Sequence, residues 1–393
     1  MTVKRLMAMA AAIAVGGCTS SGAAGLPTPT PSTPAGASAV AVASEGPSAS
    51  ALARGHWAKL PPAPIAPQQH AALVWTGRAL LELGGAANDI ARRDGAVYDP
   101  VGRDWHRMSP APTGVGGADE TAVWTGSRLF VMGALYDPAT NRWTRTAHSP
   151  LPPLAQAVAV WNGRLVVVMG LTTDREPVLR AASYDPATDT WRALDPPRPA
   201  GHNTEALVAV ATTDRVVLWS MWGRVRTTGP GSSVGFSGVD VFAFADGRWT
   251  TVTGRWPQHH TVDHPTFTGR RILFAPGQIW CGVCPHPAPV NEHGYAADPA
   301  TLAITPIHAG PFDDLGPQIV WAGRAEISLN AGGEMTGPHV HVLPGAIAFW
   351  DPSSNTWTRG PRTLEPLDTE TPPAWGARQL FALASDDRLL SYR

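Results

Sequence analysis

Charge is scarce in this chain, and neither sign dominates. Asp, Glu, Lys and Arg make up 16% of the 393 residues and leave a net charge of −1. No basic field stands out, which argues against nucleic acid as a partner. Cysteine is almost missing: Cys18, Cys281 and Cys284 complete the set. No serine-nucleophile motif is present. The apolar run near the start, "LMAMAAAIAVGG", is too short to span a membrane comfortably. What the chain does have is Gly (40), Pro (39) and Trp (16). Many turns combined with many large aromatics predict an all-β protein of short strands.

The first residues stand outside that pattern. "MTVKR" is a short basic start, the apolar run follows, and "VGGC" ends it at Cys18. This resembles the lipobox of a bacterial lipoprotein signal peptide. The resemblance implies cleavage before Cys18 and a lipid on its sulfur; a plain secretory signal with an incidental cysteine is the alternative. Residues 1–17 are therefore read as a signal peptide. Residues 18–55, rich in Ser, Ala, Gly, Thr and Pro, are read as a disordered tether. They offer too little apolar surface to offset the entropy of ordering. The expected location is extracytoplasmic, lipid-anchored to the bacterial cell membrane.

From residue 56 onward one nine-residue phrase recurs: "VYDPVGRDW", "LYDPATNRW", "SYDPATDTW" and "FWDPSSNTW". An apolar run leads to an aromatic, Asp-Pro sets a turn, and Trp opens the next strand. Each copy is thus a strand–turn–strand hairpin. Fainter copies keep Asp298-Pro299 before Ile304, and Asp246-Gly247 before Trp249. A second hairpin alternates with the first, as in "VWTGRALLELGG", "VWTGSRLFVMG" and "VWNGRLVVVMG". Seven such pairs make seven four-stranded units, with strands a, b, c and d. The d-strand markers fall at 57, 105, 143, 191, 249, 304 and 357. The second unit is short and the fourth to sixth are long, which predicts insertions in b–c loops.

The ends fix the count. Trp57 marks a d strand with no a, b or c before it. The chain's last stretch supplies a, b and c and stops after Tyr392. Pairing the two closes a ring and leaves neither as a free edge. These residues resemble the Kelch repeat family, including the propeller domain of galactose oxidase-like proteins, over residues 56–393. Gly84-Gly85 matches the family's double glycine, with one glycine kept at Gly133 and Gly170. Tyr98, Tyr136 and Tyr184 match its tyrosine, and Trp105, Trp143, Trp191, Trp249 and Trp357 its tryptophan. The expected fold is a seven-bladed Kelch-type β-propeller closed by an N-terminal outer strand. Its aromatics are expected to pack blade on blade rather than to bind sugar.

In such a ring the d–a connections and b–c loops share one face. Polar residues just before the a strands should converge on one mouth. The candidates are His70, Asp119, Glu120, His202, Glu205, Asp263, His264 and Glu370, with Gln156 and Gln318 at equivalent positions. "WCGVCPH" falls in the fifth b–c loop. Cys281 and Cys284 form a Cys-x-x-Cys pair: a tight disulfide, a redox pair or half of a zinc site with His286 and His293. Export to an oxidising compartment favours the disulfide. His339 and His341 share one strand face, too few ligands for a metal. The glycine-rich stretch 224–238 reads as a flexible b–c loop. Galactose oxidase-like enzymes use copper with tyrosines, histidines and a cysteine cross-linked to a tyrosine. Here the tyrosines are taken by repeat positions and no isolated cysteine stands ready, so the resemblance carries the fold and not the active site. No cofactor or metal is expected. The expected role is a monomeric, non-catalytic binding module for carbohydrate or an envelope protein. The alternative is a carbohydrate-active enzyme such as a sugar mutarotase or epimerase, with Glu120, His202, Glu205 and His264 as the acid–base candidates.

Overall fold

A computed structural model describes residues 46–66, 71–87, 90–115, 121–196, 204–229, 232–252, 265–274, 294–308, 310, 318–330, 333–336, 339–368 and 371–393. Seven four-stranded antiparallel sheets follow one another, each ordered a, b, c, d. In the first, Ala72–Trp75, Leu80–Leu83, Gly95–Asp99 and Asp104–Arg107 play these parts. The seven a strands touch one another in a closed cycle, with Ala72–Trp75 meeting both Val123–Trp124 and Ala374–Gly376. Strand a is therefore innermost, strand d outermost, and the chain forms a seven-bladed propeller.

Seven apolar clusters hold the ring together, one between each pair of neighbouring blades. Leu81 and Leu83 meet Leu129 and Val131 between the first and second blades. Val167 and Met169 meet Leu218 and Phe242 between the third and fourth. A b strand touches a neighbour on both faces, so Leu80–Leu83 and Val166–Thr172 are buried along their whole length. Continuous apolar runs such as "VVVM" follow from this, where a half-exposed strand would alternate.

The repeated phrase is a set of latches. Asp137 caps its turn by accepting the Ala139 N–H at 2.9 Å, and Asp99, Asp185 and Asp351 do likewise. Asn141, Asp189 and Asn355 then take left-handed φ values of 53, 52 and 52°, which Asn and Asp tolerate better than other side-chain-bearing residues. Asn141 Oδ1 accepts from the Tyr136 hydroxyl (2.9 Å) and from the Ser109 N–H of the preceding blade (2.7 Å). Asp189 repeats this with Tyr184 and Ala147, and Asn355 with Trp350 and His308. The d-strand indoles also reach back: Trp143 donates to Ser109 O (2.7 Å) and Trp357 to His308 O (2.8 Å). Tyr and Trp pack as tilted pairs in the first three outer hairpins, at 5.1 Å for Tyr136 and Trp143, and Phe244 pairs with Trp249 in the fourth. These aromatics are inter-blade packing, as expected. Asn141→Ala should cost about 2–3 kcal/mol by stranding two donors and straining the turn. Asn141→Asp should cost under about 1 kcal/mol, since Asp189 does the same work one blade on. Urea titration of both variants checks this, and equal losses would contradict the latch.

Closure follows the same chemistry. Trp57–Lys59 pairs antiparallel with Leu389–Tyr392, placing Trp57 opposite Tyr392. The two rings pack at 5.1 Å, and Trp57 Nε1 donates to Pro361 O at 3.4 Å. Trp105, with Tyr98 and Pro61 O, and Trp143, with Tyr136 and Ser109 O, show the same pattern.

Two expectations need correction. Residues 46–55, expected as the end of the tether, are folded against the ring. Ser48 caps a helical turn, Ala49–Leu52, whose Ala49 and Leu52 join the cluster between the sixth and seventh blades. The Tyr392 hydroxyl donates to Leu52 O at 2.6 Å, so this turn supplies the acceptor that Asn141 supplies elsewhere. Gly55 passes so close that a Cβ there would meet Arg393 O at 2.2 Å. The stretch 224–238 is likewise not a loop. It continues strands b and c of the fourth blade as a ribbon, Val216–Gly229 paired with Ser232–Ala245, because its ladder runs on with Arg224 opposite Phe236. The sixth blade carries a separate b–c hairpin, Gly333–Thr336 with His339–Val342. In the short second blade two residues, Met132 and Gly133, join strands b and c. Among the described residues no helix is long and apolar enough to cross a membrane.

Candidate binding site

Strand a starts, and strand b ends, at the same end of every blade. The d–a connections and b–c loops therefore share one mouth. His70, Asp119, Glu120, His202, Asp263, His264 and Glu370 belong to d–a connections and lie outside the described residues, as do Cys18, Cys281, Cys284 and His286. Glu205 falls within the fourth a strand, Thr204–Ala211. The register shifts across it: Thr204 faces Trp222 and Ala206 faces Met221. The third a strand has the same irregularity between Leu154 and Gln156. Bulges of this kind re-aim side chains and are common beside binding sites.

Between these two blades, polar side chains gather at the mouth end. Gln156 shares a strand face with Val158, which packs against the fourth blade in one cluster with Leu207, Leu218 and Phe242. Ser220 and Asp240 share the opposing face with Leu218 and Phe242, directly across from each other in the ladder. Thr204 and Ser220 join hydroxyls at 2.9 Å, fully buried. Gln156 Oε1 and Asp240 Oδ2 are buried acceptors with no donor among the described residues. Buried polar atoms nearly always find partners in folded proteins. Two orphan acceptors beside two hydroxyls suit a ligand that brings N–H or O–H groups.

A second polar sector spans the sixth, seventh and first blades. Gln318 Nε2 donates to Thr371 O at 3.0 Å, and Thr371 Oγ1 donates to Asp368 Oδ2 at 2.6 Å. The next b–c turn carries Asp387 at φ 63°. Burial, then Asp368 and Asp386, raise the Asp387 pKa. Glu82 of the first blade is buried, and its pKa rises to about 7, first from burial and then from Asp387. Arg388 is engaged by Asp386 and Glu365. Among the described residues no group of three His, Cys, Asp or Glu is arranged to hold a metal ion.

Of the expected mouth residues, the structure places Gln156 and Gln318 at the mouth, and the backbone of Glu205. Asp240, Ser220, Glu82 and Asp387 were not foreseen. The signal existed: Glu82 in "LLEL" and Asp240 in "VDVF" are charges set inside apolar strands. An acid in such a place is seldom fully buried without a partner or a task.

No family model matches the chain. Part of it is similar to beta-scruin of Limulus polyphemus, 28% identical over 181 residues, covering 42% of this chain and 18% of that protein. It is also similar to human Kelch repeat and BTB domain-containing protein 13, 28% identical over 192 residues, 44% of this chain and 37% of that protein. An F-box/kelch-repeat protein of Arabidopsis thaliana is 37% identical over 122 residues, 26% of this chain and 35% of that protein. The chain thus spans less than two-fifths of the length of these relatives. With the seven-bladed ring, the similarities support a Kelch-type β-propeller.

Proposed function

We propose that this chain is an extracytoplasmic, lipid-anchored, non-catalytic propeller that binds a protein partner through its mouth. Kelch-type propellers typically serve as protein-binding modules, and Kelch proteins are the relatives of this one. The observation that carries the reading is the orphan pair, Gln156 Oε1 and Asp240 Oδ2, buried at the mouth between two bulged blades. A polypeptide backbone or a side-chain amide supplies the donors they lack. The neighbouring long ribbon, Val216–Gly229 with Ser232–Ala245, adds surface beside the same blade.

The test is cross-linking in envelope extracts, followed by affinity measurement with the purified partner. Glu120→Ala, His202→Ala, Glu205→Ala and Asp240→Asn should each weaken binding by about 1–3 kcal/mol. Arg78→Ala and Arg164→Ala, at the other end of the ring, should leave it unchanged. The reverse outcome would place the partner on the wrong face. Binding of a glycan in place of a protein would replace the partner class proposed here.

The anchor has its own test. Cys18→Ser should move the protein from the membrane to the soluble fraction, because one or two acyl chains provide the attachment. Retention of the variant in membranes would exclude a lipid on this cysteine.

A further inference from the structure

We propose that the end of the ring opposite the mouth binds a compact polyanion, bearing phosphate or sulfate groups, on the propeller axis. Every blade turns from strand a to strand b at that end, and every one of these turns carries arginine. Four spell Gly-Arg: Gly77-Arg78, Gly163-Arg164, Gly269-Arg270 and Gly323-Arg324. Their glycines hold φ values of 91, 90, 86 and 86°, a conformation that glycine adopts without strain. One turn geometry therefore presents a cation again and again around the axis. Arg128 follows Gly126 in the second blade, Arg215 follows Asp214 in the fourth, and Arg378 closes the set in the seventh.

Most of these charges are exposed, although Arg128 lies within Coulomb reach of Asp137 and Arg324 of Asp351. Arg78, Arg128, Arg164, Arg270, Arg324 and Arg378 are exposed, and none of the six forms an ion pair among the described residues. Arg215 alone is occupied, by Asp214 at 2.7 Å and Ala300 O at 3.0 Å. Because the a strands form the innermost cycle, their turns stand nearest the axis. Tryptophans end four of the a strands just before the turns: Trp75, Trp124, Trp161 and Trp321. Such a low-dielectric wall under a ring of like charge focuses the field outward. Guanidinium forks pair in bidentate fashion with phosphate and sulfate oxygens.

The shape of the charge selects the ligand. The c–d turns lie at the same end but outermost, and they carry Asp99, Asp137, Asp185, Asp298 and Asp351. A broad anionic surface would meet this acidic rim together with the arginines. A compact polyanion on the axis meets the innermost arginines first, and the outermost acids only beyond them.

Calorimetric titration of the soluble propeller with inositol hexakisphosphate, as the probe, tests the proposal. The expected result is one ion per chain, with affinity falling at least tenfold between about 50 and 300 mM salt. The triple variant Arg128→Gln, Arg164→Gln, Arg324→Gln should bind at least roughly thirtyfold more weakly with an unchanged unfolding midpoint, since all three side chains are exposed. Asp240→Asn should bind the probe like the wild type, which separates this site from the mouth. Absence of binding up to about 1 mM probe, equal affinity of the triple variant, or several equivalent ions per chain would each overturn the proposal. So would vesicles of anionic lipid competing fully with the probe.

Discussion

Starting the chain at residue 61 instead of residue 46 is expected to open the ring and remove most of its stability. The lost segment holds the outer strand of the seventh blade, Trp57–Lys59, and the helical turn Ala49–Leu52. Trp57 is 8% exposed and packs on Tyr392. Truncating a buried aromatic of that size costs about 3–5 kcal/mol. That loss alone approaches the total stability of many domains, about 5–15 kcal/mol. The Tyr392 hydroxyl would also lose Leu52 O, and Leu389–Tyr392 would become a bare strand edge, prone to pairing with other chains. A chain starting at residue 53 should show an intermediate loss, because it keeps the strand but not the turn. Chemical denaturation of the three forms ranks them. Equal midpoints for the starts at 46 and 61 would mean that the first and last strands do not close the ring.

The second large effect is an inverted dependence on pH. Glu326 opens the b strand of the sixth blade, is completely buried, and neither carboxylate oxygen has a partner among the described residues. Its register places it with Trp321 and Trp350, on the face that packs against Leu273 and Ala296 of the fifth blade. Burial raises its pKa from 4.5 to about 8. Glu82 rises to about 7, from burial and then Asp387. In both cases the folded state holds the proton more tightly than the unfolded chain. Folding therefore gains nothing from deprotonation, and stability falls as pH climbs from about 4.5 through 7 and 8. The shifts correspond to losses on the order of 3 kcal/mol for Glu82 and 5 kcal/mol for Glu326 by pH 9. Below pH 4 the trend reverses. Hydrogen bonds from Ser353 hold the Asp351 pKa below its usual value, and Arg388 does the same for Asp386. Both lose that advantage once protonated. Stability should therefore peak near pH 4.5–5. Glu326→Gln should flatten the alkaline limb and make the protein more stable than wild type at pH 8.5. Urea titrations from pH 4 to 9 decide the matter. A wild-type stability that rises between pH 5 and 8 would sink the prediction.

The ring was legible in the letters because its parts are local. Asp-Pro and Gly-Arg turns are set by a few residues, and Tyr and Trp recur at the positions that each blade must fill. Seven a–b hairpins and one orphan Trp57 admit one arrangement without a free edge, and Trp57 does pair with Tyr392. Composition misled where packing overrode it. "PSASALARG" looks like more tether, yet Ala49 and Leu52 are buried because the seventh blade has no c–d turn to cap Tyr392. "RVRTTGPGSSVGFSG" looks like a loop, yet a ladder already running through Val216 and Phe244 continues into it.

By itself, the sequence determined the blade count, the order of strands and the face on which the loops gather. Each of these depends on neighbours along the chain. Tertiary structure alone decided which polar groups meet. Gln156 and Asp240 are eighty-odd residues apart, and they share an interface because the third blade is pressed against the fourth. Glu82 faces Asp387 because the first blade closes on the seventh. The same closure sets seven arginines around one axis. Where a charge sits is written in the chain, but what stands opposite it is fixed only when the ring shuts.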